Sequence, residues 1–159
     1  MKITVLCVGK IKEKYFTSAI AEYSKRLGRY CTFEIKEVAD EKTPDNASEK
    51  ECSIIKEKEG ARLEKLLDES SYKIALCIDG NMIDSVELSK KIESIKLSGK
   101  SHIVFIIGGS LGLADSIVKK ADYRLSFSMM TFPHQLMRVI LSEQIYRAFR
   151  IAAGEPYHK

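Results

Sequence analysis

The stretch His102-Ile103-Val104-Phe105-Ile106-Ile107-Gly108-Gly109-Ser110-Leu111-Gly112 decides how the rest of the chain is read. Its first half is a nearly unbroken apolar run, without the alternation of a half-exposed strand. That is the mark of a strand buried on both faces of a parallel sheet. Lys73-Ile74-Ala75-Leu76-Cys77-Ile78 has the same character. Between the two runs, residues 85–97 read as a helix with Asp84 or Ser85 as N-cap. Strand, helix and strand in that order form a crossover unit of a parallel sheet.

Working outward, residues 2–8 read as a first strand, and 15–28 place Phe16, Ala19, Ile20, Tyr23 and Leu27 at helical spacing. Residues 32–38 read as a second strand. Thr43-Pro44-Asp45-Asn46 signals a turn and cap, opening a helix to about Asp68 whose many charges are expected on a solvated face. A short helix near 114–120, a fifth strand at Tyr123–Phe127 and a last helix from Phe132-Pro133 to about Ala153 complete the pattern. Proline at its start and Gly154 past its end match the usual asymmetry of helix termini. The expectation is one α/β domain over residues 1–159, built on a mainly parallel five-stranded sheet.

The chain has 159 residues, 45% of them apolar, which suits one core. No run of about 18 apolar residues is present for a membrane span, and the opening residues become charged too early for a secretory signal, so a cytoplasmic location is expected. Cys7, Cys31, Cys52 and Cys77 are widely spaced with no CxxC pair, which argues against a zinc site and for reduced thiols. The net charge is +4, yet residues 41–70 hold six basic and nine acidic groups. The rest of the chain is therefore distinctly basic, a mild signal for an anionic partner such as RNA.

Gly99-Lys100-Ser101 lacks the earlier glycine of a phosphate-binding loop and precedes a strand, so it is dismissed. The loop Gly108–Gly112 follows a buried strand and precedes a helix, where open α/β sheets bind ligands, although its spacing is not GxGxxG. In Leu125–Gln135 a strand ends and an uncharged loop follows, so Met129, Met130 and Phe132 are expected to be covered by protein or by a flat ligand such as adenine. His134 and Arg138 share one face at the start of the last helix. The broad apolar surface of that helix suggests burial against both the sheet and a second subunit. From the residues alone, a noncatalytic ribosome-associated RNA-binding module and a nucleotide-dependent oxidoreductase stand beside a small-molecule-binding enzyme.

Phe132-Pro133-His134-Gln135-Leu136-Met137-Arg138-Val139, the glycine loop and the terminal Pro156-Tyr157-His158-Lys159, in this order, resemble the RlmH family. Its members are small bacterial SPOUT-class methyltransferases that methylate N3 of a pseudouridine in 23S ribosomal RNA. The resemblance spans the whole chain. It implies a C-terminal trefoil knot, which ordinary chains avoid, S-adenosylmethionine (S-adenosyl-L-methionine) as methyl donor, a homodimer, and 23S rRNA within the ribosome as substrate, with no metal and no membrane. Carried over by position, it assigns donor binding to Leu76, Gly108, Phe127, Ser128, Met129, Met130, Thr131 and Phe132. The expected catalytic set is His158 or His134 as proton acceptor, Arg138 to hold a carbonyl oxygen or phosphate, and Tyr157 against the target base. Some relatives carry proline and an acid where this chain has Ser110 and Leu111, so Leu111 is given no catalytic role.

Overall fold

The computed structural model describes residues 1–158; Lys159, which ends the terminal motif, lies outside the described residues. Strands and helices alternate along the chain. They are β1 (Lys2–Val8), α1 (Lys14–Leu27), β2 (Thr32–Val38), α2 (Glu49–Glu64), β3 (Tyr72–Met82), α3 (Ser85–Leu97), β4 (His102–Ile107), α4 (Asp115–Lys120), β5 (Tyr123–Ser126) and α5 (His134–Ala152). The sheet runs β2-β1-β4-β3-β5, and every pairing is parallel.

The apolar runs are explained by layers on both sides of the sheet. Ile3, Val5 and Cys7 of β1, with Ile103, Phe105 and Ile107 of β4, join a core shared with α1, α3 and α5. Leu6, Val8, Val104 and Ile106 point the other way, onto Leu63 of α2 and Ile117 of α4. The two-residue period of a strand thus divides one continuous hydrophobic run between two cores.

Three elements depart from the sequence reading. The turn at Thr43–Asn46 does not cap α2; Ser48 does. Its Oγ accepts the Glu51 N–H while the Glu51 carboxylate accepts the Ser48 N–H, a reciprocal pair that ties up two donors of the first turn. Strand β3 continues to Met82 through a bulge, so that Leu125 of β5 is registered against both Leu76 and Asn81. Gly80 is needed there, because a Cβ would lie 2.8 Å from the carbonyl carbon of Leu125. Pro133 stands at the N-cap of α5, one residue before the helix, and Gly154 closes its far end at φ +65°.

Among the described residues, no helix is long and apolar enough to cross a membrane, and no cluster of His, Cys, Asp and Glu could hold a metal ion. The four cysteines are free. Burial pushes the Cys7 thiol up to about 12 and that of Cys31 up to about 11, which keeps both protonated and unreactive. Phe105 is fully enclosed at the centre of the larger core. Phe105→Ala is expected to cost about 3–5 kcal/mol, read as a lowered midpoint in urea unfolding.

Candidate functional site

Because the strands are parallel, the carboxyl ends of β3, β4 and β5 open on the same edge, and a cavity of about 300 Å³ lies there. Leu76, Ile78, Ile107, Leu125, Phe127 and Phe132 supply apolar walls, and the Gly108–Gly112 loop forms one lip. The lip is a tight turn in which the Gly112 N–H donates to the Gly109 carbonyl at 3.1 Å. Gly108 passes so near Gly112 that a Cβ would lie 2.5 Å from its carbonyl carbon. On the opposite side, serine hydroxyls shape the loop after β5. Ser126 Oγ donates to the Ser128 carbonyl, and Ser128 Oγ accepts the Met130 N–H. No Asp, Glu, Lys or Arg of the described residues lines the cavity; His134 is its one titratable ring. Burial, with help from the Arg138 charge, lowers the His134 pKa below the ordinary 6.5, so the imidazole is neutral at pH 7.

Seven of the eight residues expected to bind a donor line this cavity: Leu76, Gly108, Phe127, Ser128, Met130, Thr131 and Phe132. Met129 does not. Of the two coverings expected for Met129 and Met130, protein or a flat ligand, this chain does not supply the first: they are 72% and 74% exposed, whereas Phe132 packs against the core. Ile78, Ile107, Ser110, Leu111 and Met137 line the cavity too and were not singled out as binding residues. Ser110 and Leu111 sit in the glycine loop itself, and the others extend runs whose burial alone the sequence announces.

The structure separates the four residues expected to act together. His134 and Arg138 both reach Gly9, as their spacing implies. Arg138, however, is fully buried, its Nη1 donating to Glu37 Oε1 at 2.7 Å and its Nη2 to the carbonyls of Val8 and Gly9 at 2.7 and 2.9 Å. Both terminal nitrogens of its fork are thus engaged by the fold, while its buried Nε has no hydrogen-bond partner. Tyr157 and His158 lie elsewhere, on the flank of α5. The Tyr157 hydroxyl donates to Glu143 Oε1 at 3.2 Å, a carboxylate oxygen that also accepts Nε and Nη2 of Arg147. The Arg147 guanidinium lies 4.7 Å from the Tyr157 ring centroid, and His158 Nδ1 is 3.5 Å from Arg147 Nη1. Burial, then the Glu143 charge, raises the Tyr157 pKa, so the phenol stays a donor. At about 1.5 Å per helical residue, Arg147 stands roughly 20 Å along α5 from His134. The tail and the cavity of one chain are therefore apart.

The sequence also concealed Glu59. It belongs to the charged face of α2 that was expected in solvent, yet it is 4% exposed, with Oε1 accepting the Glu41 N–H and Oε2 unpartnered against Gly109. Burial, and then Asp40, pushes its pKa up.

A glycine-lipped apolar pocket at the carboxyl ends of parallel strands belongs to a known class. Residues 1–158 match the family described as "Predicted SPOUT methyltransferase". The chain is 62% identical over 159 residues to "Ribosomal RNA large subunit methyltransferase H" of Bifidobacterium adolescentis. It is 60% identical over the same length to the proteins of that name in Clostridium kluyveri and Clostridium novyi. In each case the alignment covers 100% of both chains. Among solved structures, a "probable methylase family protein" from Haemophilus influenzae superposes with a TM-score of 0.57 over 99% of this chain and 70% of the other. At 14% identity, that likeness concerns the fold alone. The chain belongs to the SPOUT methyltransferase family, in the branch of its full-length relatives, the large subunit methyltransferases H.

Arg138→Met keeps most of the buried volume but removes the guanidinium from two carbonyls and from Glu37, which retains only the Ile11 N–H. The expected loss is about 3 kcal/mol, seen as a lower unfolding midpoint, together with weaker binding in the adjoining pocket by titration calorimetry.

Proposed function

We propose that this chain methylates N3 of a pseudouridine in 23S ribosomal RNA, using S-adenosylmethionine as donor and the assembled ribosome as substrate. It does so as a homodimer whose carboxyl-terminal third is threaded as a trefoil knot. The observation that carries this reading is the uncharged pocket, lined by seven of the eight residues the resemblance assigns to the donor. Its full-length relatives named for ribosomal RNA methylation support the substrate.

The pocket suits the donor chemically. Leu76, Leu125, Phe127 and Phe132 offer apolar faces for adenine, while backbone N–H and C=O groups of the glycine lip and of Ser128–Thr131 offer selective polar contacts. A neutral His134 adds no charge against a sulfonium. When bound, the donor supplies a methyl group already activated by a positive sulfur. What remains for the protein is alignment and removal of the N3 proton. Tyr157 and His158 are the groups of the tail suited to that work, one as a hydrogen-bond donor and stacking surface, the other as a proton acceptor. Since they lie far along α5 from the pocket of their own chain, the tail serves the pocket of the second subunit. The half-buried Val139, Ile140 and Ile151 on α5 supply apolar surface for the seam. RNA must present the base unpaired or extruded.

Labelled methyl transfer to ribosomes lacking the modification, with naked 23S rRNA alongside, tests the reading. Label in one pseudouridine of the ribosomal sample is expected. A folded protein that neither transfers label nor binds the donor would point instead to a noncatalytic RNA-binding module, and binding of a nicotinamide cofactor to an oxidoreductase. Truncation after Glu155 retains the bonds of Glu155 to Tyr30 and Arg150. The truncated protein and His158→Ala are both expected to bind donor as the intact chain does while turnover falls at least a hundredfold. Unchanged turnover in either would remove that part of the tail from the mechanism.

A further inference from the structure

The segment between β1 and α1, Gly9-Lys10-Ile11-Lys12-Glu13, has no regular structure, yet its backbone is pinned at three residues. The Gly9 N–H donates to the Val38 carbonyl at 2.8 Å, and the Gly9 carbonyl accepts from Arg138. The Ile11 N–H donates to Glu37 Oε1 at 3.0 Å, and the Lys12 N–H to Gln135 Oε1 at 3.2 Å. The last tether fastens the loop to the first turn of α5, next to His134 on the pocket wall. A Cβ on Gly9 would lie 3.5 Å from His134 Nε2.

Lys10 lies between two of these tethers, Lys12 carries the last of them on its own N–H, and Lys14 begins α1; all three are exposed. Among the described residues, none of the three is within ion-pair distance of a carboxylate, a state they share with surface lysines such as Lys25, Lys50 and Lys90; what sets them apart is the pinned backbone that holds them beside His134. The acids nearby do not cancel the charge. Glu37 is engaged by Arg138 and by the Ile11 N–H, which leaves Glu13 and Asp40 against three ammonium groups. A backbone held by four hydrogen bonds thus presents free cations at the rim of an uncharged pocket. Such an arrangement fits a polyanion lying across the rim while one uncharged group enters.

We propose that this loop is a phosphate-binding rim for the substrate RNA, with Lys10 and Lys12 holding backbone phosphates that flank the target base. The proposal rests on the reading of the chain as an RNA methyltransferase. Lysine is suited to the role because phosphate contacts position a strand without reading its sequence, and each contact displaces counterions from the RNA.

The test compares wild type, Lys10→Ala/Lys12→Ala, Lys10→Arg/Lys12→Arg and, as a control for the loss of two lysines elsewhere, Lys56→Ala/Lys58→Ala on α2. Each is measured for affinity to unmodified ribosomes and free 23S rRNA across a salt series, for donor affinity, and for methyl transfer. The alanine pair at the loop is expected to flatten the plot of log affinity against log salt by about 1.5. It should also raise KM for ribosomes about tenfold, with donor affinity unchanged. The arginine pair should restore both values, and the α2 control should match wild type. Wild-type salt slope and KM in the alanine pair would overturn the proposal while methyl transfer by wild type still upheld the reading beneath it. A wild type that transfers no methyl group would overturn both. Loss of donor affinity in the alanine pair would show that the loop supports the pocket instead of the RNA.

Discussion

A guanidinium taken fully out of water must find its partners inside the protein or cost several kcal/mol, and Arg138 finds them for both terminal nitrogens, its Nε alone going without. Its stem comes from α5, and its acceptors are Glu37 on β2, Val8 at the end of β1 and Gly9 beyond it. This cluster sets where α5 begins relative to the sheet edge. The pocket wall at His134 and Met137, the loop after β1 and the carboxyl end of β2 are all positioned through it. Gly9 at φ +84° lets the chain turn away from the sheet at that point and offer its carbonyl inward.

The helix that Arg138 anchors carries two environments of opposite electrical character. Near its start are the pocket residues, with no charge and a histidine kept neutral. Further along are Glu143, Arg147 and Arg150, which hold the tail through Tyr157 and Glu155. On the function proposed, the first would hold the apolar parts of the donor and the second would handle the proton. Keeping the two on one rigid rod means that their distance within a chain does not fluctuate. Any meeting between them then depends on how two rods are set against each other.

The limits of β2, α3 and β4 could be read from the chain almost residue for residue, because the edge strand β2 alternates, double burial leaves β4 a continuous apolar signature, and Asp84 marks a cap in the sequence itself. The start of α2 was misplaced because two candidate caps lie within a few residues, and the reciprocal Ser48–Glu51 bonding decides between them. The bulge in β3 depends on β5, which lies more than forty residues on, and no local pattern announces it. Most of the pocket was legible, through the glycine loop and the uncharged stretch after β5. The trapped charges were not. Arg138 and Glu59 occupy positions that look like ordinary polar helix faces, and what buries them comes from β1, β2 and the glycine loop. The separation of tail from pocket was equally hidden, since a motif in sequence does not measure distance along a helix.

The strand order has a consequence for how the molecule forms during synthesis. The first strand pairs with β2 soon after both are made, but its other edge waits for β4, about a hundred residues later. Until then the Ile3–Val8 segment offers open backbone groups and apolar side chains on an unfinished edge, a condition that invites wrong pairing. Arg138 emerges later still, and with it the bonds that seat α5 and complete the pocket. The polypeptide thus acquires its binding site only once α5 has been made, and such dependence on distant pairings predicts a slow final folding phase.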